Sequence, residues 1–332
     1  MSQDARGQTM DAFLDGSGWA HAQRRPLPGD ASFRRYIRLS RGFEHAMLMD
    51  APPPKEDVRP FLNVARHLVG LGLSAPVVLA EDVASGFLLL EDLGDATFTR
   101  RLAAGACEAA LYALAVDVLI DLHHHPRAAE ILVPPYDDAR LMTEARLLTD
   151  WYMPEMPGAL TGQDCIESYE ALWRPLFARA RAVPETLVLR DFHVDNLMEL
   201  EGRSKSAACG LLDFQDAVLG PVTYDLVSLV EDARRDLAPG LADAMRQRYL
   251  KAFPNLDRHD FDASMAILGA QRHCKVIGIF TRLYKRDGKP VYLRHIPRLW
   301  RLLEQSCRHP VLAGLKVWLD KHLPAGSRGV PQ

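Results

Sequence analysis

The sequence predicts an α+β chain in two lobes, a small β-rich lobe ahead of a large, mostly helical one. Three observations predict it. Residues 32–91 hold four short runs of strand character with turn residues between them. From about residue 97 onward, apolar residues recur at helical spacing in seven longer segments. The strand-like runs of that second part, 186–189, 197–200 and 208–213, are few and lie among helices. The expected divisions are residues 1–92 for the first lobe, 93–325 for the second, and a disordered tail at 326–332.

Taken in order, SFRRYIRL (32–39) and EHAMLMD (44–50) read as a hairpin that reverses at Ser40–Phe43, helped by Gly42. Three prolines, Pro52 to Pro54, end it. Val58, Phe61, Leu62, Ala65, Leu68 and Val69 then mark one face of a helix, closed by Gly70 and Gly72. Two more strands follow at 76–80 and 86–91, and LLLEDLGD (88–95) is the connector between lobes. Helices are expected at 108–125, 137–152, 163–182, 223–235, 238–252, 260–284 and 290–306. The triplet His123–His125 does not suggest a metal site. Successive side chains on a helix point about 100° apart and cannot converge on one ion.

Composition narrows the function classes. The 332 residues are 48% apolar and 25% charged, as in an ordinary globular chain with room for one large domain or two lobes. A net charge of −3 without a basic cluster gives no field for nucleic acid or anionic lipid. No apolar run reaches the ~18 residues of a membrane helix. MSQDARGQTMDAFLD lacks the apolar core of a secretory leader. Five scattered cysteines without a C-x-x-C pair read as reduced thiols, so the expected location is the cytoplasm.

The chemistry is concentrated in LRDFHVDN (189–196) and LLDFQD (211–216). Asp191 is placed to accept a hydroxyl proton. Asn196, five residues on, and Asp213, after an apolar run, offer hard oxygen ligands for Mg²⁺ on the phosphates of ATP. That order and spacing match the catalytic loop and metal-binding Asp of a bilobal, protein kinase-like fold. The plainer readings are a turn-capping Asp191, an Asx-turn at Asn196 and a strand-end cap at Asp213. Asp216 is a weaker candidate for a second ion or the acceptor. His193 and Asp195 either shape the loop or touch the acceptor. Asp225, just inside a helix start, reads as structural, bracing the catalytic loop. Gly29-Asp30-Ala31-Ser32 reads either as a phosphate-covering loop or as a plain turn.

LRDFHVDNLM and GLLDFQDAVLGPVTYDL, together with the two-lobe plan, resemble the aminoglycoside phosphotransferase and choline kinase-like family. The resemblance runs from about residue 28 to residue 300. GDASFRRYIRL, MDAPPP, YDLVSLVEDARR and AQRHCKVIGIFTRL are similar to one branch of it. That branch holds the kinases that phosphorylate the anomeric hydroxyl of N-acetylmuramate and N-acetylglucosamine in cell-wall recycling. The resemblance implies an ATP- and Mg²⁺-dependent phosphotransferase acting on a small amino sugar. Its sugar 1-phosphate would be passed to a nucleotidyltransferase. Other hydroxyl acceptors (aminoglycoside, choline, homoserine-like) and a nucleotide-binding pseudokinase are the rivals.

Two positions depart from the family pattern. Leu189 and Arg190 stand where the motif has His and Gly. The strand lysine that meets nucleotide phosphates is also missing, with Met47 or Met49 in its region. Ser32, Arg35, Glu91 and Leu93 are the expected nucleotide contacts, with Arg34 and Arg38 as alternatives to Arg35. Strand alternation puts Arg34, Tyr36 and Arg38 on one face and Arg35 on the other. His193, Asp195, Asp216, Arg272 and Lys275 are the expected acceptor contacts, the last two for a lactyl carboxylate. The plainer reading of Arg272 and Lys275 is a solvated helix face.

Overall fold

The structure, a computed structural model, describes residues 3–28 and 33–331. Its elements run α1 (Gln3–Gly16), β1 (Gln23–Pro26), β2 (Arg35–Arg41), β3 (Glu44–Asp50), α2 (Arg59–Gly70), β4 (Val78–Asp82) and β5 (Phe87–Glu91). Next come α3 (Phe98–Ala103), α4 (Glu108–His124), α5 (Asp138–Ala145), α6 (Gln163–Ala180) and β6 (Glu185–Val188). The short strands β7 (Leu197–Glu199), β8 (Cys209–Leu211) and β9 (Val218–Pro221) lead into α7 (Tyr224–Val230). The chain closes with α8 (Leu241–Ala252), α9 (Arg258–Asp287), α10 (Ile296–Ser306) and α11 (Ala313–His322).

These elements form two compact units that interleave along the chain. Unit 1 is the chain up to Cys107 with Glu130–Leu132 and Val194–Ala217; unit 2 is Glu108–Ala129, Val133–His193 and everything from Val218 on. A single cut at residue 92 therefore does not describe the contacts. The segment carrying Asn196 and Asp213 clusters with the first sheet, because Thr97 bridges to Met198 and Ser74 to Gly210.

Unit 1 is built on a five-stranded antiparallel sheet ordered β1-β2-β3-β5-β4. Its register sets Arg38 opposite Met47, and Met47 opposite Leu90. Leu39, Leu48, Phe87 and Leu89 turn inward with Leu14 and Trp19. Helix α1 was not expected from its sparse apolar residues. Buried Arg6 clasps it to the sheet, with Nε 3.0 Å from Asp50 Oδ1 and the guanidinium 3.8 Å over Phe87. Asp50 is fully buried and meets Arg35 through its other oxygen at 2.5 Å. Two guanidiniums on one carboxylate make that burial tolerable.

Unit 2 packs its helices around α9, 30 residues long, capped by Asp257 at its start and by left-handed Gly288 (φ 64°) at its end. Ile267, Leu268, Cys274 and Ile277 of α9 join Tyr169, Trp173 and Phe177 of α6 in one core. Gly278 is required there: a Cβ would lie 2.2 Å from the carbonyl oxygen of Leu147, just before the π-helical turn Leu148–Tyr152. β6 pairs with β9, a strand hidden from sequence reading by its Gly-Pro ending. The tail is not loose as expected. Ser327 is buried, Gly329 accepts from the Tyr152 hydroxyl at 2.8 Å, and Arg328 pairs with Glu304 and Asp320.

Candidate active site

In unit 2, strand β6 delivers the chain into Leu189, Arg190 and Asp191. Arg190 takes a left-handed conformation (φ 69°) that a glycine would adopt without cost. Two interactions hold it there. Its N–H and that of Leu189 donate to Asp225 at 2.8 and 2.6 Å, and its guanidinium pairs with Glu144. Asp225 is thus the brace expected from the sequence, reached across 36 residues. Burial pushes its carboxyl up to about 7, against the pull of those two backbone donors.

Glu144 on α5 is the hub of a buried polar set. It accepts from the Tyr136 hydroxyl at 2.5 Å and from Gln271 at 3.2 Å, and it lies 3.1 Å from Lys275 Nζ. Arg272 Nη1 donates to the carbonyl of Arg190 and to the Tyr224 hydroxyl (3.3 and 3.4 Å), and Nη2 is 3.8 Å from Asp191 Oδ1. Arg272 and Lys275 are each only 6% exposed, so the solvated-face reading of α9 is overturned. Their cost of burial is met by fixed carboxylates and carbonyls. His273, between them in sequence, points elsewhere and meets Glu231 at 2.9 Å.

Asp191 keeps part of its side chain open, 40% exposed. Burial pushes its carboxyl up, but Arg272, Lys275, His193 and Arg190 together outweigh that and hold it below the ordinary value. It is therefore ionised at neutral pH and can accept a hydrogen bond from a hydroxyl. Buried His193 is pushed down to about 4, by burial first and by Arg234 next, and so stays neutral.

Unit 1 carries a cavity of about 360 Å³. Leu27, Met47, Phe61, Leu90, Met198 and Leu212 give it apolar walls, and Arg34, Asn196 and Asp213 are among its polar lining residues. Asn196 and Asp213 are brought to one wall by the β7–β8 ladder, which the bond from the Leu212 N–H to the Asn196 carbonyl extends (2.9 Å). Asp213 is left-handed (φ 58°), a strained state for a non-glycine residue, and its side chain is 47% exposed. Its Oδ1 accepts from Gln215 at 2.8 Å and lies 3.9 Å from Arg34 Nη2. An amide oxygen and a carboxylate on one open wall are a donor set that fits Mg²⁺.

The remaining expected contacts divide. Glu91 and Leu93 line the cavity. The Glu91 carboxylate is engaged by Arg203, leaving backbone groups as what this segment offers. Ser32 and the 29–31 turn lie outside the described residues. Arg35 is corrected: it sits on the opposite face of β2, tied to Asp50, while Arg34, Tyr36 and Arg38 line the cavity. Asp195 belongs to unit 1, where it accepts from the Thr99 hydroxyl at the start of α3. Asp216 is exposed, with Gln215 Nε2 at 3.5 Å. Asp191, His193, Arg272 and Lys275 share unit 2. Sequence reasoning missed Glu144, Tyr136 and Tyr224, because the hydrogen bonds and ion pairs that tie them together reach from 8 to more than 120 residues along the chain.

Residues 23–261 match the profile of the phosphotransferase enzyme family. The chain is 38% identical to the N-acetylmuramate/N-acetylglucosamine kinase of Caulobacter vibrioides, over 96% of each protein. It is 39% identical to the protein of the same name from Pseudomonas aeruginosa, over 98% of this chain and 99% of that one. Among solved structures, choline kinase LicA from Streptococcus pneumoniae has a TM-score of 0.62 at 10% identity, covering 91% of this chain and 100% of that one. ADP-bound aminoglycoside phosphotransferase APH(2'')-Ib has a TM-score of 0.60 at 15% identity, covering 92% and 99%. Likenesses at such identity speak for a shared fold.

Proposed function

The chain belongs to the phosphotransferase enzyme family, and from that premise we propose that it transfers the γ-phosphoryl group of ATP to the anomeric hydroxyl of N-acetylmuramate or N-acetylglucosamine. The observation that carries this reading is the identity of 36–39% to four kinases named for those two sugars, over at least 90% of this chain. The Asp191, Asn196 and Asp213 trio supports the reaction type independently.

Asp191 orients the acceptor hydroxyl and takes its proton as the oxygen bonds to phosphorus. Its low proton affinity suits a phosphoryl transfer in which the leaving group departs early and strong base help is not needed. Asp225 and the Arg190–Glu144 pair hold the loop so that this carboxylate presents one geometry. Asn196 and Asp213 would hold Mg²⁺, which when bound neutralises charge on the nucleotide phosphates. The apolar walls of the unit 1 cavity bind the base, with backbone groups of 91–93 beside it. Arg272 keeps Asp191 ionised and, at the edge of the acceptor site, favours neutral or anionic sugars over cationic acceptors. A sugar 1-phosphate made at the expense of ATP in the cytoplasm is a substrate for a nucleotidyltransferase.

The test is ADP release with Mg·ATP against N-acetylmuramate, N-acetylglucosamine, their 1-O-methyl glycosides, kanamycin and choline. Turnover with the free sugars and none with the blocked glycosides is expected. Turnover with kanamycin or choline alone would remove the sugar assignment and leave the reaction type.

A further inference from the structure

We propose that Arg34, partnered by Glu56, is the cation of unit 1 that meets the nucleotide phosphates. This rests on the kinase reading above. Protein kinases use a strand lysine steadied by a helix glutamate for that purpose. Here Met47 of β3 lines the cavity, between Arg38 and Leu90 in register, and a thioether carries no charge. Lys55 does not line the cavity, and its ammonium sits 4.4 Å over the Phe33 ring.

Three guanidiniums line the cavity: Arg34, Arg38 and Arg100. Arg38 is consumed by the connector. Its Nε is 2.6 Å from Asp92, its Nη1 2.5 Å from Asp95, and its Nη2 donates to the Gly94 carbonyl at 2.9 Å. Arg100 is 66% exposed and turned to Asp95, with its Nη1 3.2 Å from Oδ1. Arg34 differs from Arg100 in burial and from Arg38 in place: its side chain is 14% exposed, and its guanidinium lies 3.5 Å from Glu56 and 3.9 Å from Asp213. Glu56 meanwhile fixes the approach to β2, because its Oε1 accepts from the Phe33 N–H at 3.0 Å. One carboxylate thus pins both the backbone and the guanidinium of this turn.

The placement has a direct chemical use. The carboxylate proposed to bind Mg²⁺ and the Arg34 guanidinium face the same space from neighbouring positions. Phosphate oxygens there would be met by a metal on one side and by a planar fork of N–H donors on the other. Each carboxylate would exchange part of its hold on Arg34 for the arriving anion, so the residue is oriented before the nucleotide binds.

The decisive quantity is the ratio of Mg·ATP affinity to adenosine affinity, measured by titration calorimetry on the full chain. Arg34→Met is expected to weaken Mg·ATP binding about thirtyfold, within the range of lost charge-assisted bonds, while adenosine affinity stays within about twofold. Arg34→Gln is expected to behave alike and serves if the Met variant folds poorly. Arg34→Lys should regain most of the ratio. An unchanged ratio in either neutral variant would overturn the assignment, as would parallel loss of both ligands, which marks a structural role. Absence of sugar-dependent ADP release by the parent protein would sink the acceptor assignment alone, because the affinity ratio needs no acceptor.

Discussion

The two regions proposed to carry the chemistry are built on opposite electrostatic plans. In unit 2 the Asp191 loop stands on buried charges that answer one another: Glu144 with Arg190 and Lys275, and Asp225 with two backbone N–H groups. In unit 1 the Asp213 side chain is 47% exposed, and Arg34 stands 3.9 Å from it. Charges that satisfy each other hold a shape. Charges that line an open cavity can bind what arrives. The contrast teaches that buried arginines and lysines near a reacting carboxylate serve first to fix and ionise it, and only at their edges to recognise substrate.

That contrast can be broken by substitution. The largest effect is expected from Asp191→Asn, which should lower kcat by about 10³-fold with Mg·ATP affinity kept, read by steady-state kinetics beside calorimetry. Full activity in that variant would remove the proton-acceptor role. Next comes Asp225→Ala, which strands two backbone donors. A loss of about 3 kcal/mol in urea unfolding is expected, together with a lower kcat, because the loop and the fold share this brace. If stability fell and kcat did not, the brace would be structural only. The smallest effect sharpens the other side. Asp213→Asn should weaken use of Mg·ATP on the order of tenfold to a hundredfold and shift the Mg²⁺ dependence of the rate. Unfolding should move by less than about 0.5 kcal/mol, since its side chain is half open.

How much of this was legible in the sequence follows from the range of the interactions. The β2–β3 hairpin and helix α2 declare themselves within a few residues, and the structure places them at or close to the expected positions. The bracing role of Asp225 was readable because a helix start is a local signal. Helix α1 was not, since its docking depends on Arg6 meeting Asp50, 44 residues away. The burial of Arg272 and Lys275 was equally invisible: periodicity cannot distinguish a solvated charge from one whose partner is Glu144, more than 120 residues earlier. Strand β9 escaped because Gly220-Pro221 reads as a turn, whereas Gly220 is there to let the backbone lie against Tyr136, where a Cβ would come within 2.9 Å. The choice between Arg34 and Arg35 was half legible. Alternation separated them correctly, but only the pairing of Arg35 with Asp50 shows which face is inward.

Helix α9 imposes a rule on how such a chain can vary. Gln271, Arg272, His273 and Lys275 radiate from adjacent positions to Leu141 and Glu144, to the Arg190 carbonyl, to Glu231 and again to Glu144. Inserting or deleting a single residue upstream in this helix would turn every one of these spokes by about 100° and miswire all of them together. Point changes along α9 can be absorbed one partner at a time, but changes of length cannot. Divergence in chain length among proteins built this way should fall in connections such as 157–162, and the spacing from Gln271 to Gly278 should behave as a fixed ruler.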